Sequence, residues 1–212
     1  MTQTLSGTSK RDVRASARPG SQVRERILDA AVGLLSKHGP RALAQPQVAR
    51  EAGVPQGHLT YYFPKKLDLV LAVAGRMREL LAEEVAPLLA DAVAGGADAD
   101  TRFLALGAKL ARNRGRTRML LGLLVELEHE PGLRATMQEG FFQLRRAFSL
   151  VMGREEDDPD VDLAIATLWG LGLQHLLLEG QRSDAETERL FARLAERPDA
   201  PFSRRRRVAR PR

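Results

Sequence analysis

The chain has 212 residues, 43% hydrophobic and 28% charged, a globular composition long enough for one or two domains with a sizeable core. It contains no cysteine, which excludes disulfides, thiolate metal sites, iron–sulfur clusters and cysteine nucleophiles. Its net charge of +6 points toward nucleic acid and is unevenly spread: +3 over residues 1–21, +3 over 22–68, −5 over 69–197 and +5 over 198–212.

Residues 1–21, rich in Ser, Thr, Pro and Arg, read as a basic disordered arm. Its Arg11, Arg14 and Arg18 stand directly before the first helix, in position to lie along a DNA minor groove. Ile27, Leu28, Ala31, Leu34 and Leu35 then form one helical stripe that stops at Lys37-His38-Gly39-Pro40. A short helix is expected from about Gln45 to Ala52, ending at Gly53, which can take the left-handed turn conformation. Another runs from about Pro55 to Phe63. A fourth apolar pattern, with Leu67, Leu71, Ala74, Met77 and Leu81, continues to about Val93, with Pro87 as a kink or break.

After the loop Gly95–Asp100, helices are expected at roughly 101–113 and 116–129. A longer one starts at Pro131 and stops before Gly153. Asp158-Pro159 reads as an N-cap and first-turn proline for a helix to about Glu179, and Ser183–Glu186 fits a capping box for a last helix. Residues 198–212, with six Arg, read as a basic disordered tail. The sum is an all-α chain of about nine helices.

The enzyme reading finds no support: there is no phosphate-binding loop, no Gly-x-Ser-x-Gly elbow and no cofactor motif. Glu126-x-x-His129 has the spacing of a bundle metal motif but lacks the second pair such a site needs, so no metal is expected. The polar first thirty residues hold no secretory signal, and the longest apolar run, Leu163–Leu173, is too short for a bilayer. A cytoplasmic protein without a membrane partner is expected.

Residues 41–67 carry the functional signal as a helix-turn-helix. Val48, Ala49, Ala52 and Val54 supply a small apolar seam, Gly53 the turn, and Leu59 and Phe63 the anchors. The outer face of the second helix presents Gln56, Gly57, His58, Thr60, Tyr61 and Tyr62, suited to base edges and phosphates. Lys65 and Lys66 open the next helix, where ammonium groups and backbone N–H groups can meet phosphates. Gln45 and Gln47 on the preceding helix join the candidate DNA-facing set.

Taken together, these residues resemble the DNA-binding domain of the tetracycline-repressor (TetR) family of bacterial regulators. The likeness covers about residues 22–70: Ile27-Leu28-Asp29-Ala30-Ala31 with Leu34-Leu35 and Gly39, Val48–Val54, Gly57–Phe63, and Lys66-Leu67. It implies base reading by Gln56, Gly57, His58 and Tyr61, and phosphate contacts from Thr60, Tyr62 and Lys66. Three departures stand out: Ala44 replaces the usual capping Thr or Ser, Pro46 occupies a first-turn position from which relatives reach DNA, and Pro55 replaces the common Ser.

The resemblance further implies a homodimer on a palindromic double-stranded operator, released by a small-molecule effector. The expected architecture is an N-terminal three-helix DNA-binding domain (22–68) followed by a helical effector-binding and dimerisation domain (69–197). The helix near 160–179, apolar on nearly all sides, must be buried on more than one face; Leu168, Leu171, Leu176, Leu190, Phe191 and Leu194 are the expected dimer contacts. Met119, Leu123, Phe141, Phe142, Phe148 and Trp169 are the candidate apolar ligand contacts, with Glu126, Gln174 and His175 as polar anchors. The low aromatic content points to an aliphatic, acyl-chain-like or mixed ligand. The alternative is a helix-turn-helix protein whose C-terminal domain binds a protein partner instead.

Overall fold

A computed structural model describes residues 19–93, 99–127, 130–178 and 184–195. Residues 1–18 of the basic arm expected over 1–21, the whole tail of residues 198–212, His129 and the capping Ser183 lie outside the described residues.

Nine α-helices occur among the described residues. Helix α1 (Pro19–His38) buries Ile27, Leu28, Ala31, Leu34 and Leu35, a stripe at three- and four-residue spacing. It stops at Gly39, whose φ of +78° costs a glycine little. A 3₁₀ turn, Pro40–Leu43, then tucks Ala42 and Leu43 into the core, a piece of order the sequence pattern does not reveal. Helix α2 (Gln45–Glu51) begins without a side-chain cap, since Ala44 has no oxygen to offer. It ends in a paired carbonyl closure: Gly53 N–H donates to Arg50 O and Val54 N–H to Ala49 O, with Gly53 at φ +63°. That closure sets the direction of α3 (Gln56–Tyr62).

Helix α4 (Lys66–Val93) runs unbroken through Pro87, where a break was expected. Pro87 is exposed, so its ring stands on the solvent side of the helix, and near it Lys109 Nζ donates to the Glu84 carbonyl at 3.1 Å. Helices α5 (Ala99–Arg112) and α6 (Arg114–Glu126) follow. The latter starts earlier than the apolar pattern suggests because the Asn113 side chain caps it, accepting from Arg116 N–H at 3.0 Å. Helix α7 (Pro131–Met152) closes on left-handed Gly153, and α8 (Pro159–Leu177) opens on Asp158, which accepts from Asp160 N–H at 2.9 Å. Helix α9 (Asp184–Ala195) packs along α5.

The buried residues form two cores. The first joins α1, α2, α3 and the start of α4, and reaches past residue 68 to take in Met119 and Leu123 of α6 and Leu133 of α7. The second joins α5, α7, α8 and α9 around Phe103, which meets Phe148 and Phe191 edge to face at 6.0 and 5.7 Å between ring centres. Helix α6 stands between the two: Gly122 is pressed so closely on α1 that a Cβ there would lie 2.9 Å from Leu35 Cδ1.

Candidate DNA interface and effector cavity

Leu59 is fully buried and pins α3 to the first core. At 100° per residue, the side of α3 opposite Leu59 belongs to Gly57 and Tyr61, with Gln56 and Thr60 on one flank and His58 and Tyr62 on the other. Tyr61 is 77% exposed, its ring edge-on to Tyr62 with centres 5.0 Å apart. No atom lies within 4 Å of a Cβ built on Gly57. The structure therefore brings Gln56, Gly57, His58, Thr60 and Tyr61 together on one exposed surface.

The flanking residues are less free. Tyr62 is half-buried, with its hydroxyl against Gly20 of α1. The Thr60 hydroxyl donates back to the Gln56 and Gly57 carbonyls at 3.2 and 3.1 Å, so it must turn to donate to a phosphate. Gln45 Nε2 donates to the Phe63 carbonyl at 2.9 Å, which ties α2 to the end of α3 and makes Gln45 a brace. Gln47 is half-buried on α2. Asp68 reaches back to accept from the Lys65 backbone N–H at 2.8 Å, one half of a capping box at the start of α4. The Lys65 side chain is exposed.

Lys66 has a partner the sequence does not suggest. Its Nζ lies 2.7 Å from Glu126 Oε1 on α6, 60 residues away. A candidate phosphate contact and a candidate ligand anchor are thus joined in one ion pair. The same helix grips α1 elsewhere: Arg118 Nη1 donates to the Ser36 carbonyl, and Met119 and Leu123 sit in the first core.

The opposite side of α6 faces a cavity of about 260 Å³ between α4, α6, α7 and α8. Leu120, Leu124 and Leu127 form its α6 wall, while Met77 and Leu81 of α4, Phe141 and Leu144 of α7, and Leu168 and Trp169 of α8 close it. Phe141 and Trp169 meet at 5.8 Å between ring centres. Three guanidinium groups belong to the lining. Arg116 pairs with Glu84 at 2.7 Å, and burial pushes that guanidinium below its ordinary pKa against the pull of Glu84. Arg78 pairs with Glu139 on α7, and Arg134 is exposed.

Of the expected ligand contacts, Phe141 and Trp169 line this cavity and Leu168, expected at a dimer contact, joins them. The others are placed elsewhere. Met119 and Leu123 turn toward α1, about 60–140° around the α6 axis from Leu120 and Leu124. Phe148 is held in the second core, and Phe142 is 58% exposed beside Phe141. Gln174 is exposed, and Glu126 serves Lys66. His175 is buried on α8 outside the cavity lining, its Nδ1 without a hydrogen bond among the described residues. Residues missed by sequence reasoning include Met77 and Leu81 of α4, Leu120, Leu124 and Leu127 of α6, Leu144 of α7 and the three arginines. Their signal, apolar residues beside arginine on consecutive helices, is that of any amphipathic surface.

The expected dimer contacts divide similarly. Leu168, Leu171 and Phe191 are buried within the chain's own second core, so they are spent on folding rather than presented to a partner. Leu176 is half-buried, Leu190 is exposed, and the side chain of Leu194 lies outside the described residues. The exposed apolar face of α8 is a different stripe: Leu163, Ala166, Gly170, Leu173 and Leu177.

Residues 27–73 match the family model for bacterial regulatory proteins of the tetR family. From α1 to the start of α4, the chain thus carries the N-terminal domain of that family. The transcriptional repressor KstR of Mycolicibacterium smegmatis is 43% identical over 53 residues, a match covering 25% of this chain and 26% of the repressor. The chain thus aligns with about a quarter of that relative's length. Likeness of fold extends over most of the chain. A transcriptional regulator from Saccharomonospora viridis, in complex with choline, matches 84% of this chain and 97% of its own at 22% identity and a TM-score of 0.70. A TetR-family member from Streptomyces coelicolor matches 81% of this chain and 97% of its own at 27% identity and a TM-score of 0.63. The multidrug binding protein EbrR, complexed with imidazole, matches 80% and 93% at 26% identity and a TM-score of 0.61. Among the described residues no helix is long and apolar enough to cross a membrane, and no cluster of His, Asp and Glu could hold a metal.

Proposed function

We propose that this chain is a homodimeric TetR-family repressor that binds a palindromic operator through α3 and leaves it when a small molecule fills the cavity. The observation that carries this reading is the double duty of α6. One side of the helix walls the cavity through Leu120, Leu124 and Leu127, and the other is fixed to the DNA-binding head through Arg118, Gly122, Leu123 and Glu126. A ligand that favours a displaced α6 must also favour a displaced head, and it shifts the population by its differential affinity for the two arrangements.

Gly57 and Tyr61 lie at the centre of the proposed reading face, with Gln56, His58 and Thr60 beside them; Lys65, Lys66 and Tyr62 approach the backbone. The second copy docks on the α8 stripe from Leu163 to Leu177, which places two reading helices about a two-fold axis, as a palindrome requires. The cavity favours a small ligand over a protein partner for the body.

DNase footprinting on genomic fragments around the chain's own gene should show a protected, two-fold symmetric site. Sedimentation should give a dimer that Leu173→Glu with Leu177→Glu converts to monomer. A footprint without symmetry, or a wild-type monomer on DNA, would overturn the reading.

A further inference from the structure

The cavity carries a chemical bias that the fold does not require. Apart from its apolar walls, the lining contributes the uncharged Thr117, Thr136 and Gln138, the charged Arg78, Arg116 and Arg134 and, among the described residues, no carboxylate. The counter-charges stand outside: Glu139 on Arg78 is 62% exposed, and Glu84 is committed to Arg116 at 2.7 Å. Arg134 makes no ion pair among the described residues. Arg78 Nε is buried without a hydrogen bond among them, although a buried N–H left unpaired is costly.

From this placement we propose that the cavity takes a compact lipophilic anion, a carboxylate with an aliphatic or mixed apolar body. The apolar body lies against Met77, Leu81, Leu144 and Leu168, where burial of hydrocarbon is favourable in proportion to area. The carboxylate meets the Arg134 guanidinium, with the positive charge of Arg78 beside it, in charge-assisted hydrogen bonds that a neutral head group cannot match. A volume of about 260 Å³ limits the body to a short chain or one small ring system; ligand pockets commonly run from about 300 to 1,000 Å³. A quaternary ammonium such as the choline of the Saccharomonospora viridis regulator would be attracted only by the faces of Phe141 and Trp169, with guanidinium repulsion against it.

The inference rests on the reading of this cavity as the effector site, but its test needs no DNA. Trp169 is the single tryptophan of the chain and lines the cavity, so its fluorescence reports occupancy directly. The full-length protein is titrated with octanoate, octanol and octyltrimethylammonium, which share one tail and differ in head-group charge. Octanoate should bind at least about tenfold more tightly than either, a preference of roughly 1.4 kcal/mol. Arg134→Gln, at an exposed position, should cut the preference at least threefold while leaving octanol unchanged, and Arg78→Gln added to it should abolish the preference. Equal or tighter binding of octanol or the ammonium, or no binding of octanoate, would overturn the proposal. Octanoate that binds as expected but leaves operator occupancy untouched would uphold it and overturn the effector-release reading instead.

Discussion

The two cores of this chain are built from different side chains. The first, beneath α3, is mainly aliphatic and alanine: Ile27, Ala31, Leu35, Val48 and Leu59 are all fully buried. The second uses large rings, with Phe103, Phe148 and Phe191 interlocked, and between the two cores a volume of about 260 Å³ remains unfilled. A surface that reads DNA must be held in one geometry, which tight packing secures. A body that responds to a ligand must leave room and tolerate rearrangement. On the proposed function, α6 is the common wall between the operator-reading head and the effector site.

The strongest way to break the comparison is to open a hole in the first core. Leu59→Ala should cost about 2–5 kcal/mol and abolish operator binding. Near-ultraviolet signal and Trp169 fluorescence should show the second core intact at moderate denaturant; loss of both regions together would mean that the cores are one cooperative unit.

Gly122→Ala probes the joint. Its Cβ would meet Leu35 Cδ1 at 2.9 Å and Pro40 Cδ at 3.3 Å, and overpacking of this kind costs about 1–3 kcal/mol. A lower melting temperature should accompany weaker operator binding and altered ligand affinity. An unchanged ligand affinity would mean that α6 does not couple the two regions.

Tyr61→Ala separates reading from folding. The side chain is 77% exposed, so the melting curve should stay within about 0.5 kcal/mol of wild type. Specific operator affinity, measured by anisotropy, should fall about tenfold while nonspecific DNA binding is little changed; an equal fall on both DNAs would assign Tyr61 to the backbone.

The smallest expected effect lies at the Lys66–Glu126 pair. Exposed pairs contribute about 0–1 kcal/mol, so Glu126→Gln should barely move stability. Released from its carboxylate, Lys66 should strengthen DNA binding a few-fold and steepen its salt dependence. Unchanged affinity and slope would leave the pair as a surface contact only.

Much of the helical framework was legible in the sequence because helix ends carry local chemistry. Pro131 with Gly153, and Asp158-Pro159, mark α7 and α8 to within a residue or two, and Gly53 marks the turn before α3. The exposed face of α3 was legible for the same reason, since Leu59 fixes which side turns outward. What escaped depends on contacts across long separations. Lys66 with Glu126, and Arg118 with the Ser36 carbonyl, join residues 60 and 82 positions apart. Apolar residues on α6 and α8 declare that they are buried or paired, but not on which side, so Met119 and Leu120, or Leu168 and Trp169, could be sorted only in three dimensions.

Gly57 has a consequence for divergence. It stands beside Tyr61 at the crest of α3, with nothing within 4 Å of the side chain it lacks. A residue added there displaces no neighbour, and because glycine is a poor helix former, most replacements would firm the helix by up to about 1 kcal/mol. On the proposed function, residue 57 is therefore a position where the reading face can be rewritten at no cost in packing.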